Sequence, residues 1–168
     1  MQTKNDLTKD ITFEDFKTEV LNDYTVAVTS RECSLLGRRE VLTGKAKFGI
    51  FGDGKELPQI VMSHFFKNGD FRSGYYRDQT LLLSQDLLTG REIFSALYGH
   101  PDKVYERMSG GRQMSGHFLT HTIDENDNWI DQTKHKNHIS DISPTASQMS
   151  RLVGLGLASK IYRNNKLF

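Results

Sequence analysis

The sequence predicts an α/β chain, and three observations carry that prediction. Apolar residues recur at helical spacing from Phe13 onward. Thr89 and Glu92, three residues apart, have the form of a capping box. A short aromatic run, "DFRSGYY" from Asp70 to Tyr76, has strand composition. Helices outnumber strands in this pattern, so the chain reads as a helix-rich fold with the start of a parallel sheet.

Thr12 with Asp15 caps a first amphipathic helix, along which Phe13, Phe16, Val20, Tyr24, Ala27 and Val28 form an apolar stripe toward about Leu36. The following segment, "GRREVLTGKAKFGIFGDG", is glycine-rich and reads as irregular chain. A second helix is predicted from near Lys55, with Pro58 tolerated in its first turn, Ile60, Val61, Phe65 and Phe66 buried, and Gly69 as its stop. The aromatic strand then runs into "YRDQT" ahead of Leu81, Leu82 and Leu83. Thr89 opens the helix in "GREIFSALYGH", which ends at Gly99.

Residues 100–141 are polar and lack a sustained period; a loop of that length inside a domain is usually functional or disordered. Ser143 as N-cap and Pro144 at the first helical position predict a last helix through Leu152, Leu155 and Ile161, with the pattern stopping after Arg163. A chain of 168 residues fits one domain, which divides into 1–54, helix and glycine-rich connection, and 55–168, the part bearing the candidate chemistry.

Composition excludes several classes. There is no apolar run of membrane-spanning length and no secretion signal at the start, so a soluble, cytoplasmic protein is expected. The single cysteine, Cys33, rules out disulfides or a thiolate cage within one chain. With 22 Lys and Arg against 21 Asp and Glu there is no basic field for a nucleic acid; any anion site is local.

Four motifs invite a chemical reading. Gly52-Asp53-Gly54 could put an aspartate on a metal–diphosphate, but a hard cation needs further oxygen ligands, and the one Asn-Asn pair, Asn164-Asn165, is far downstream. It reads as a turn before the second helix. "GLGLAS" from Gly154 imitates a dinucleotide fingerprint, yet it falls within a helix, where small residues allow another helix close. His117, His121, His135 and His138 have zinc-like spacing without fixed secondary structure and read as exposed loop histidines. Tyr76-Arg77 at a strand end offers a hydroxyl and a guanidinium fork to a phosphate, although a surface ion pair of Arg77 with Asp70 or Asp78 would leave the same letters.

In order, "GDFRSGYYRDQT", "GGRQMSGHF" and "SDISPTASQMSRLVGLGLASK" resemble the alpha subunit, or alpha half, of the thiamine-diphosphate-dependent dehydrogenase component of 2-oxoacid dehydrogenase complexes, the branched-chain 2-oxoisovalerate type being closest. The match runs from about Phe13 to Arg163. The resemblance implies a thiamine-diphosphate-binding fold, and an oxidoreductase of a multienzyme complex that decarboxylates a 2-oxoacid and passes the acyl group to a lipoyl group. In that family Tyr76 and Arg77 would grip the diphosphate, Ser143 and Thr145 would contact the cofactor, and His117 would face the 2-oxoacid and its acyl group. Ser147 and Gln148 match a monovalent cation site, for K+. Tyr75 and Thr145 depart from the branched-chain pattern, which often has glutamine and leucine there.

The resemblance also implies partners: a beta subunit or beta half, and the lipoyl-bearing acyltransferase. On this alignment the Gly-Asp-Gly and Asn-Asn that hold Mg2+ begin after Phe168, and the glutamate that activates the aminopyrimidine belongs to the beta half. The chain is therefore expected to be an N-terminal portion, a single incomplete domain, inactive alone. The rival expectation is a non-enzymatic module that binds a partner subunit through an open sheet edge and apolar helix faces.

Overall fold

In the computed structural model residues 11–162 are described; Arg163, Asn164 and Asn165, where the last helix is predicted to end, lie outside that range. Helix α1 (Phe13–Leu42) opens as predicted, with the Thr12 hydroxyl accepting from the Asp15 N–H at 3.2 Å. It then runs past Leu36 through Gly37, which the sequence assigns to irregular chain. A Cβ at Gly37 would collide with the ring of Phe51, so this glycine serves close packing rather than a break. The packed face of α1 is also not the predicted one. Ser30, Cys33, Ser34, Gly37 and Glu40 are buried, whereas Phe13, Phe16, Val20, Tyr24 and Val28 stand exposed.

Small side chains on that face let the neighbouring helices approach closely. Helix α2 (Glu56–Phe65) is pinned to α1 by a two-pronged bond from Arg31 to Glu56, at 2.7 and 2.9 Å. His64, near its end, reaches Glu19 and Asp23 with its two ring nitrogens, at 3.4 and 2.9 Å. Of the apolar residues predicted to be buried here only Ile60 is; Val61 and Phe65 are exposed, because α2 turns Glu56, Gln59 and Ile60 inward instead.

Strand β1 (Phe71–Tyr75) follows, and a turn closed by Asp78 leads directly into helix α3 (Gln79–Leu83). Leu81 and Leu82 form the centre of the apolar core with Ile60, Leu97 and Phe118. Where α3 meets α1 the contact is polar: the Ser30 and Thr80 hydroxyls lie 2.7 Å apart, and the Gln79 amide donates to Ser30 and Ser34. Helix α4 (Gly90–Leu97) begins with the predicted capping box, Thr89 and Glu92 satisfying each other's backbone donors, and ends before Gly99 with φ 66°.

Residues 100–136 contain little regular structure beyond an isolated Ile123–Trp129 bridge and a 3-10 turn at Gln132–Lys134. The segment is organised by a buried acid. Glu106 accepts from the backbone of Met108, Ser109 and Gly111 and from the Ser109 hydroxyl; although burial opposes it, these donors hold its pKa below the usual carboxylate range.

Strand β2 (Asn137–Ile142), absent from the sequence prediction, pairs in parallel with β1, Arg72 opposite His138 and Tyr75 opposite Ile142. The architecture is thus mixed helix with a small parallel two-stranded sheet, an α/β arrangement. Its inward side is held by charge rather than oil. Arg72 donates to Asp141 at 2.6 Å and lies 3.2 Å from His138 Nδ1, while His138 Nε2 reaches Gln85 Oε1 at 2.9 Å. Burial and the Arg72 charge push His138 down to about 3; burial pushes Asp141 up to about 7 against the pull of Arg72.

Helix α5 (Ser147–Ile161) starts later than predicted. Ser143 does not cap it; the residue before it is Ala146, in the left-handed region at φ 66°. No residue of α5 is buried, and Gly154 and Gly156 face open space, with room for a side chain at either position. No helix among the described residues is long and apolar enough to cross a membrane.

Candidate anion and cofactor site

The site is built where β1 ends. There the chain turns sharply: the Asp78 carboxylate accepts from the Tyr75 N–H at 2.9 Å, and the Asp78 N–H donates back to the Tyr75 carbonyl at 2.9 Å. That turn presents Tyr75, Tyr76 and Arg77 side by side. Its backbone is gripped from two directions, because the Gln59 amide donates to the Arg77 carbonyl at 3.1 Å and Gly52 packs directly against the same carbonyl.

Gly52 is therefore the part of Gly52-Asp53-Gly54 that bears on the site. Asp53 itself is ion-paired with Arg38, and Gly54, at φ 90°, donates its N–H to Glu56. The triplet is the predicted turn, and it borders the Arg77 backbone. Gly52→Ala is expected to drive a methyl group into that carbonyl and shift the 75–78 turn. It should weaken anion binding with no change of charge, measurable by titrating the variant with pyrophosphate.

Among the described residues Arg77 has no ion-pair partner. Asp78 faces Arg72 at 3.4 Å and Asp70 accepts from the Lys67 N–H, so neither candidate acid serves it. Among the described residues the guanidinium lies instead over two phenol rings, 5.2 Å from the Tyr76 centroid and 6.0 Å from that of Tyr75. Its Nε is buried without a hydrogen-bond partner among the described residues. A cation with a spare buried donor, beside a phenol hydroxyl, suits an anionic group with several oxygens.

The remaining sequence candidates come from two distant segments and meet at this turn. His117 lies on the 113–118 loop, which approaches Tyr76 through Gly116; a Cβ there would sit 2.7 Å from the Tyr76 carbonyl, and its φ is 83°. The His117 and Tyr76 rings are nearly parallel, 6.5 Å apart. His117 Nδ1 donates to the Met114 carbonyl at 3.1 Å, which leaves Nε2 to meet the Ser143 hydroxyl at 2.8 Å. Ser143 is thus engaged with His117 rather than with the helix end. Thr145 completes the ring of contacts, its hydroxyl 3.4 Å from the Tyr75 hydroxyl. Behind His117 and Tyr76 opens an apolar recess lined by Leu82, Leu88, Ile93, Ala96, Met108 and Met114.

Ser147 and Gln148 stand in the first turn of α5. The Gln148 amide lies 3.2 Å from the Ile142 carbonyl and 3.5 Å from that of Pro144. The Ile142 and Pro144 carbonyl oxygens are of the type that K+ accepts, but here the Gln148 amide nitrogen donates to them. Among the described residues Asp53 is paired with Arg38, and the cluster with metal-ligand chemistry, Glu19, Asp23 and His64, lies between α1 and α2 with its own atoms satisfying one another.

The four spaced histidines do not assemble. His121 and His135 are exposed as predicted, but His138 is 1% exposed, held in the sheet by Arg72 and Gln85. The Arg72–Asp141–His138 group behind the site was not singled out in the sequence. Its one signal is an arginine inside a strand of aromatic and small residues. Tyr75, read only as a departure, proves central to the hydroxyl contacts. No protein-family model matches the chain, and no curated protein matches it.

Proposed function

We propose that this chain is part of a thiamine-diphosphate-dependent 2-oxoacid dehydrogenase, nearest the branched-chain type, and supplies the diphosphate-binding end of the cofactor site. The observation that carries the reading is the meeting of Tyr76, Arg77, His117, Ser143 and Thr145, from three separate segments, in one set of contacts around a cation with a free buried donor. When bound, thiamine diphosphate would supply the carbon nucleophile that decarboxylation of a 2-oxoacid requires.

The chain's own residues would do the rest. Arg77 and the Tyr76 hydroxyl would bind phosphate oxygens through charge-assisted bonds. His117, its ring oriented by the Met114 carbonyl, would hold or move a proton at Nε2 beside the acyl group, with the Ser143 hydroxyl fixing that nitrogen's direction. Ser147 and Gln148 would fasten the 142–148 loop around K+. The acyl group would pass to a lipoyl-bearing acyltransferase.

In this proposal the oxygen ligands of Mg2+ and the acid that activates the aminopyrimidine come from outside these residues. The purified chain is accordingly expected to release no CO2 from 3-methyl-2-oxobutanoate with thiamine diphosphate and Mg2+ present. Turnover above a no-protein control would contradict it.

A second reading, a non-enzymatic module for a partner subunit, is favoured by the exposed apolar stripe of α1 and by α5, none of whose residues is fully buried. The two separate on ligand binding: a module without a cofactor site has no reason to depend on Arg77 for binding a diphosphate.

A further inference from the structure

Arg77 and Tyr76 account for two donors to an anion, but a phenol hydroxyl can turn its proton either way. Something must aim it. Tyr76 carries one hydrogen and accepts as readily as it donates, so its usefulness to an anion depends on what occupies its acceptor side.

Tyr75 occupies that side. Its hydroxyl donates to the Tyr76 oxygen at 2.8 Å, with the two rings 4.1 Å apart and inclined by 46°. The Tyr75 oxygen is in turn 3.4 Å from the Thr145 hydroxyl, across the loop that precedes α5. Adjacent residues in an ordinary strand point to opposite faces, which would part Tyr75 from Tyr76. They lie together because β1 ends at Tyr75 and the Asp78 turn begins there.

We propose that Tyr75 is a positioning residue: the hydroxyl chain from Thr145 through Tyr75 to Tyr76 fills the acceptor side of Tyr76 and commits its proton to the anion beside Arg77. The ligand class is a phosphate or diphosphate group, and the inference rests on the anion site proposed above. Thr145 ties the chain to α5, so the donor geometry at Tyr76 also depends on where the 142–148 loop sits.

Calorimetric titration with inorganic pyrophosphate tests this. Tyr75→Phe and Tyr76→Phe should each weaken binding by about threefold to tenfold, the ordinary worth of one hydrogen bond. The double variant should bind no worse than Tyr76→Phe alone, because Tyr75 acts only through its neighbour.

Additive losses in the double variant would mean that Tyr75 touches the anion or merely supports the fold, and would overturn the positioning role. The anion site is judged separately by Arg77→Ala. If that variant binds pyrophosphate as tightly as the wild type, the site reading falls; if it binds weakly and the tyrosines are additive, only the positioning role falls.

Discussion

Arg77→Ala is expected to weaken binding of a diphosphate by about 10- to 150-fold, the effect of removing a hydrogen bond to a charged group of about 1.5–3 kcal/mol. The size follows from the local arrangement. The guanidinium is not shared with Asp70 or Asp78, so its attraction is available to a ligand, and the Tyr75 and Tyr76 rings shield it from water on one side. Arg77→Lys should recover only part of the loss, since an ammonium keeps the charge but lacks the planar fork and the orphaned Nε. Titration of wild type and both variants at low ionic strength, repeated at higher salt, reads the effect, and salt should narrow the differences.

The other large effect lies behind the site. Asp141→Ala is expected to destabilise the fold by about 3–5 kcal/mol, because it removes the nearest acid from Arg72, whose side chain is only 3% exposed, leaving it a longer contact to Asp78 and the bond to His138 Nδ1. Replacing Arg72 and Asp141 together by Met and Leu should cost far less, since neither charge is then buried alone. Urea denaturation of the single and double variants separates these outcomes.

The same group gives a pH signature with a definite sign. The folded pKa of His138 is depressed from 6.5 to about 3, so its contribution is complete above 6.5 and is lost as pH falls toward 3. That of Asp141 is raised from 3.8 to about 7, so its contribution is complete below 3.8 and is lost as pH rises through 7. Between these limits the two slopes oppose each other. Stability of Asp141→Asn should therefore rise as pH is raised from about 3 to 6.5, and stability of His138→Asn should fall as pH is raised from about 4 to 7.

The elements that were legible in the sequence are those fixed by neighbours along the chain. The Thr12 cap, the Thr89–Glu92 box and the aromatic strand depend on residues three or four positions apart, and each appears. What was not legible depends on contacts across the chain. Strand β2 carries Asn137, His138 and Asp141 inward, so its polar letters hide a buried strand whose partners are Arg72, Gln85 and backbone groups. Ser143 has the letters of a helix cap, but His117 claims its hydroxyl. The face of α1 was misread because Ser30 and Ser34 bond across to α3 and Gly37 makes room for the Phe51 ring, contacts that the apolar period does not reveal.

For the site, residue types picked out Tyr76 and Arg77 and the resemblance added His117, Ser143 and Thr145, all of which the fold brings together, but neither picked out what supports them. Gly52 and Gln59 fix the Arg77 backbone, and Tyr75 bridges two hydroxyls; none has a letter pattern that distinguishes support from chance. Asp53 shows the converse. Its glycine-flanked letters suggest a metal ligand, while its carboxylate is already occupied by Arg38.

The most direct measurement is calorimetric titration of the purified chain with thiamine diphosphate in the presence of Mg2+, run beside Arg77→Ala and Asp53→Ala. A diphosphate site at the end of β1 predicts weak but saturable binding by the wild type, its loss in Arg77→Ala and its retention in Asp53→Ala. Equal binding by wild type and Arg77→Ala, or no saturable binding by the wild type, would contradict it.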